Sequence, residues 1–264
     1  MTPEYGVAIT DITSGLMNWD MWGRLGWREV KRRYRRTVVG PFWTTLSLGI
    51  FVVALGVVWS RLWGQDPKTY LPYLTSGMLT WVMFSTFCTE GSSSFFASEA
   101  LIKQLRVSYT LLSIAVVWRN LIVFFHNLAI YFFICIYAGV PIAWPMLLIV
   151  PGLLVLSING VWIVLLLGMI CSRFRDIQQL VTSILQVSMF ITPIFWSPDQ
   201  LTGRAKILVD YNPLYHYVDI VRSPLLGKVP SAWTWFLVAL MTAAGWSVTI
   251  YLFSRFRRRI PYWL

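Results

Sequence analysis

The sequence predicts an all-α, polytopic membrane protein: six transmembrane helices, an N-terminal amphipathic helix lying in the interface, and helices that re-enter the bilayer from the outer side. Three observations predict it. Of 264 residues, 57% are apolar and only 12% are charged, roughly half the charge of an ordinary soluble domain. The Lys and Arg behind the net charge of +11 sit in short clusters between long apolar runs, the pattern that orients a membrane protein and binds anionic headgroups. Many of the 15 Trp, such as Trp63, Trp144 and Trp263, fall at the ends of those runs, where an interfacial belt places them. A soluble chain of this length would need a charged surface over its core. The clustering also argues against nucleic acid as a partner.

Residues 1–264 read as one domain. Across 14–35, Asp20, Arg24, Arg28, Lys31 and Arg35 recur every three or four residues, while Leu16, Trp19, Trp22, Val30 and Tyr34 fall elsewhere on the wheel. That is the pattern of a helix lying in the membrane surface, although Gly23 and Gly26 lower its propensity and leave a bare orientation tag as the alternative. Gly40-Pro41 then breaks the chain. Crossings need about twenty mostly apolar residues, and the runs that supply them are 41–60, 71–90, 110–138, 145–171, 178–196 and 232–254.

Basic residues precede the first run (Arg24 to Arg36), follow the second (Lys103, Arg106), the fourth (Arg173, Arg175) and the sixth (Arg255, Arg257, Arg258, Arg259). By the positive-inside rule these segments and both termini are cytoplasmic. The first thirty residues lack the pattern of a removable signal peptide. Between the second and third runs, 92–108 is too polar to cross and reads as a short cytoplasmic helix with Ser98 as its cap. Residues 197–231 combine Pro198, Pro213, Pro224 and Pro230 with apolar pieces, which suits helices dipping partly back into the membrane. Cys88, Cys135 and Cys171 lie in or at the end of apolar runs without CxxC spacing and read as packing residues.

The chain carries no GxxxxGK[ST], HExxH or GxSxG, so the common nucleotide-binding and hydrolytic signatures are missing. No catalytic residue, metal site or bound cofactor is expected. His216 and Asp219 are three residues apart, yet two ligands make a poor metal site. The third run is more telling: Arg119 and His126, like Asn120 and Asn127, lie seven residues apart and share a helix face. In the fifth run Gln179, Thr182 or Ser183, and Gln186 form a similar stripe above Thr192-Pro193. Such stripes serve either packing between helices or a transport path. Hydroxyl and amide groups alternating with rings suit a sugar chain.

The order of elements resembles the membrane subunit of ABC transporters of the type 2 exporter family, and within it the permeases that export O-antigen, capsular polysaccharide or teichoic acid. The resemblance rests on WREVKRRYRRTVVGPFWTTL at 27–46, LIKQLR at 101–106, WRNLIVFFHN at 118–127, CSRFRDIQQL at 171–180, TPIFW at 192–196 and YNPLYHYVDIVRSPLLG at 211–227. It implies a homodimer binding two copies of a separate ATPase subunit, which would hold the ATP and Mg, and a lipid-linked polysaccharide entering at the cytoplasmic face. Glu99, Leu101, Ile102, Lys103 and Arg106 would match the helix that docks into the ATPase. Arg173, Arg175 and Asp176 would match a second contact. Asn212, Pro213, Tyr215, His216, Tyr217 and Arg222 would belong to an external gate, with Arg222 holding the seal or orienting the segment through hydrogen bonds to neighbouring carbonyls, or else snorkelling to the outer headgroups, and Tyr215 and Tyr217 meeting an emerging chain. Arg119, His126, Gln179, Thr182 and Gln186 would line the path. Rival readings are a drug or small-lipid exporter of the same family, an integral-membrane transferase, which lacks an acid/base cluster here, and a passive channel or secondary transporter, which would show inverted repeats.

Overall fold

A computed structural model of the chain describes residues 4–35, 40, 42–105, 107–200 and 203–264, with no strand among them. The N-terminal segment is two helices, α1 (Tyr5–Met17) and α2 (Trp19–Tyr34), where the sequence suggested one beginning at residue 14. Asn18 divides them. Its side-chain amide and its backbone N–H both donate to the Ser14 carbonyl, ending α1, while its own carbonyl accepts from Met21 and Trp22 to begin α2.

α3 (Phe42–Leu62) is followed by α4 (Pro67–Ala97), whose first turn is set by Pro67 and by Asp66 accepting from the Lys68 N–H. α5 (Glu99–Leu105) and α6 (Tyr109–Ala138) come next, α6 opening with Ser108 Oγ accepting from the Leu111 N–H and closing at the left-handed Gly139 (φ 68°). A 3-10 turn leads into α7 (Ile149–Arg173), then α8 (Ile177–Ile191), α9 (Ile207–Asp210), α10 (Pro213–Leu225), α11 (Ala232–Phe256) and α12 (Ile260–Trp263).

By length and composition, four of the described helices can cross a membrane: Phe42–Leu62, Tyr109–Ala138, Trp144–Arg173 and Ala232–Trp263. The sequence reading counts six. The second expected run is a 31-residue helix, long enough but not apolar enough, because α4 lies at the centre of the bundle against α3, α6, α7, α8 and α10 and faces protein rather than lipid. It therefore tolerates buried Thr75, Ser76, Thr80 and Ser92, whose hydroxyls donate to carbonyls four residues back at 2.6–3.0 Å. The fifth expected run stops short. α8 ends at Ile191 rather than 196, since Pro193 cannot continue it and Thr192 to Phe195 turn inward and are buried.

The expected cytoplasmic helix 92–108 is likewise shorter, because α4 continues to Ala97. Ser98 works through its backbone, its N–H closing α4 and its carbonyl accepting from the Ile102 N–H in α5. At this end of the bundle the two termini meet: the Glu4 N–H donates to the Ser254 carbonyl and Arg258 pairs with Glu4 at 2.8 Å. The larger core gathers around α4 through Leu74, Phe87, Phe124, Leu156, Val164 and Ile220. A smaller one at the end bearing α5 and the termini joins Ala8, Phe95, Ile102, Tyr109, Leu165, Phe253 and Ile260. Cys88 and Cys171 are buried and Cys135 is half-buried, all as free thiols.

Candidate functional site

On α5, Glu99 and Lys103 stand one turn apart and pair at 2.7 Å, which holds the Glu99 carboxyl below the usual carboxylate range. Ile102 is buried against the chain's own core, and Leu101 packs partly against it. These two expected docking residues anchor the helix, so its outward face is carried by Lys103, Gln104 and Leu105. Arg106 lies outside the described residues. Arg173 stacks on the Phe174 and Trp263 rings at 5.2 and 5.4 Å, and Arg175 on Phe96 at 5.0 Å. Asp176, exposed at the start of α8, lies on the same side of the fold as α5.

Above α5 the polar face of α6 is tied to protein. Arg119 pairs with Glu29 of α2 and, at 2.6 Å, with Glu90 of α4. Asn120 Nδ2 donates to the same Glu90 oxygen at 2.7 Å. A half-buried guanidinium between two carboxylates compensates charges that would be costly alone. Gly26 lets α2 approach, since a Cβ there would lie 2.9 Å from the Trp118 ring and 3.0 Å from the Ala115 carbonyl. Asn127 Oδ1 accepts from Thr45 at 3.0 Å. His126 Nδ1 is bonded at 2.8 Å to its own helix, at the Ile122 carbonyl, and meets the Phe42 ring edge-on. A cleft of about 390 Å³ lies between α3, α4 and α6, with Thr44, Ser47, Thr86, Asn120 and Asn127 in its wall. Gln179 and Gln186 are exposed on α8 and Thr182 is half-buried there, so the structure does not gather the five expected path residues into one cavity.

At the opposite end, Asn212 Oδ1 accepts from the Leu214 and Tyr215 N–H groups at 2.9 and 3.3 Å, with Pro213 in the first turn of α10. His216 is buried, its Nε2 donating to the Asp210 carbonyl at 2.9 Å and its Nδ1 sharing a hydrogen bond with Thr234. Tyr217 is buried too. Its hydroxyl donates to Asn159 Oδ1 at 2.8 Å and its ring stacks on Phe84, which removes it from the expected contact with an emerging chain; Tyr215 is half-buried. Arg222 is 2% exposed and donates from Nη1 to the Pro193 carbonyl at 2.6 Å and to Tyr73 Oη at 2.7 Å, with its guanidinium 4.4 Å from the centre of the Tyr73 ring. Tyr73 in turn donates to the Pro193 and Trp196 carbonyls. Arg222 thereby binds α10 to α4 and to the turn after α8.

The partners Glu29, Glu90, Tyr73, Pro193 and Asn159 are absent from the sequence-level site. Glu90 had a signal, an acid at the polar end of an apolar run; Tyr73 and Asn159 had none. No cluster of three metal-binding side chains occurs among the described residues.

The fold is a helical, membrane-embedded bundle held by buried polar contacts at both ends. The chain belongs to the family of ABC-2 type transporters, matching it over residues 22–226. It is similar to an O-antigen export system permease protein, RfbA, of Myxococcus xanthus, at 25% identity over 189 residues, 71% of this chain and 73% of that protein. A Klebsiella pneumoniae protein of the same name is 21% identical over 239 residues, covering 87% of this chain and 90% of its own length.

Proposed function

We propose that the chain is the permease subunit of an ATP-driven exporter that moves a lipid-linked polysaccharide, foremost lipopolysaccharide O-antigen, across the bacterial cytoplasmic (inner) membrane. It would work as a homodimer with two copies of an ABC ATPase, which bind ATP and Mg. The family match and the names of the relatives carry this reading. Six crossings fit the packing. Arg175 stacks on Phe96 while the Pro193 carbonyl accepts from Tyr73 Oη, so the segment from α8 through its closing turn accompanies α4 from Phe96 to Tyr73. That is about 35 Å of helix at 1.5 Å per residue, enough to cross a hydrocarbon core of about 30 Å.

In this reading the end that bears α5, residues 173–176 and both termini is cytoplasmic, in keeping with its arginines. α5 would dock into the ATPase, and α9 and α10 would form the external gate. The test is a deletion strain, fractionated. Polymer on its lipid carrier should accumulate inside the cell together with undecorated lipid A, and the wild-type gene should restore export. Normal surface O-antigen with accumulation of a capsular or teichoic polymer would move the substrate to that class.

A further inference from the structure

We propose that the groove between the ends of α7 and α11 nearest the termini is a binding site for one anionic glycerophospholipid, which seats an acyl chain in the groove and its phosphate between Arg173 and Arg255. The groove has a volume of about 320 Å³ and is walled by Met169, Ile170, Leu252, Phe256 and Trp263, with Arg173 its one charged lining residue. This is the lower end of the size range for clefts that hold small ligands, roughly 300–1,000 Å³.

The rim carries the argument. Phe256 and Trp263 lie ring to ring at 5.9 Å in its wall, and each bears a guanidinium: Arg255 sits 5.6 Å over Phe256 and Arg173 sits 5.4 Å over Trp263. Both arginines are exposed. Neither has a carboxylate within ion-pair distance among the described residues, whereas nearby Arg257 and Arg258 are taken by Asp11 and Glu4. Two uncompensated cations above an apolar cleft at the end of a membrane bundle match an anionic headgroup above an acyl chain. A zwitterionic headgroup brings its own cation and would meet these two unfavourably. This site needs neither the substrate nor the orientation proposed above.

The test uses the full chain, delipidated in detergent and titrated with phosphatidylglycerol, phosphatidylcholine or glycerol phosphate, with bound lipid counted by native mass spectrometry. The wild type should retain phosphatidylglycerol in preference to phosphatidylcholine and should not retain glycerol phosphate. Leu252→Trp, which fills the groove, should abolish retention. Arg173→Gln with Arg255→Gln, on the surface and outside the core, should weaken it roughly thirtyfold, the loss expected from two arginines beside a charged headgroup. Equal retention of phosphatidylcholine, or phosphatidylglycerol bound equally by wild type and the double Gln variant, overturns the site. Binding of glycerol phosphate alone as tightly as the lipid would assign the arginines to a soluble phosphate and overturn the groove's part.

Discussion

Arg257 donates Nε and Nη2 to Asp11 Oδ2 at 2.9 and 2.6 Å, joining the two ends of the chain. The other oxygen of that carboxylate accepts from Ser108 Oγ, the Thr110 N–H and Thr110 Oγ1 at 2.7–3.1 Å. Asp11 thus clasps α1 to the start of α6 and to the residue after α11, just beyond α5. Because its carboxylate is fully buried, Asp11→Ala should cost about 3–5 kcal/mol, read as a lowered thermal midpoint in detergent. Asp11→Asn, which keeps one acceptor, should cost less. Wild-type midpoints for both would mean that the clasp adds nothing.

Arg222 yields a functional prediction. Lys at this position keeps the charge but cannot stack on Tyr73 and serve two acceptors with a planar fork. Arg222→Lys and Arg222→Ala should both loosen α10 and raise basal ion leak in liposomes, with Arg222→Ala worse by the loss of charge-assisted hydrogen bonds of about 1.5–3 kcal/mol each. Wild-type leak in both removes Arg222 from the proposed external gate.

Gly77 gives an independent approach to the same contact. A Cβ there would lie 2.3 Å from Arg222 Nη2, so the guanidinium must move aside. Gly77→Ala should leave the helix intact and reproduce part of the Arg222→Lys leak. An unchanged leak beside a leaky Arg222→Lys would show that the guanidinium shifts without releasing α10.

Removing Arg119 takes away the guanidinium that pairs with both Glu29 and Glu90. Arg119→Ala should destabilise by about 3–5 kcal/mol and free α2, which hydrogen–deuterium exchange over residues 19–34 would register as faster uptake. Glu90→Gln, which still accepts from Arg119 and Asn120, should be milder. Unaltered exchange in Arg119→Ala would mean that Trp22, Gly26 and Val30 hold α2 by packing alone.

On α5, each single reversal, Glu99→Lys or Lys103→Glu, sets like charges one turn apart. The double reversal restores opposite charges within the helix but presents the wrong sign to a partner. Insertion should survive in all three, and co-purification with the ATPase should fall even in the double variant. Since the Glu99 carboxyl is held below its ordinary range, the pair contributes above that range and its contribution is lost as pH falls through the lowered value. Full association in all three variants would leave α5 a solvated helix.

The helices α3, α6, α7 and α11 are legible in the sequence because their faces meet lipid and must be apolar along their length. α4 falls short of that apolarity, since burial among five neighbours frees it to carry serine and threonine; the sequence places its run at 71–90, and the helix extends past both bounds, Pro67–Ala97. Asn212-Pro213 declares its helix start locally. The partners of Arg119 and Arg222 do not, because Glu29 and Tyr73 reach them only through packing between segments distant in sequence. Asp11 carries no signal of its own in the sequence, and its partners at Ser108 and Arg257 have no periodic relation to it.

The polarity of α4 has a bookkeeping effect on topology. Counting only the four helices that are apolar by composition leaves out α4 and α8, and two omissions cancel by the end of the chain, so both termini fall on one side under either count. Between them the parity is reversed. A hydropathy-based map would place α5 on the face opposite the termini, although the fold packs α12 directly against α5. For this chain, the sidedness of a single epitope between residues 99 and 105 therefore discriminates four crossings from six, where tags at the ends cannot.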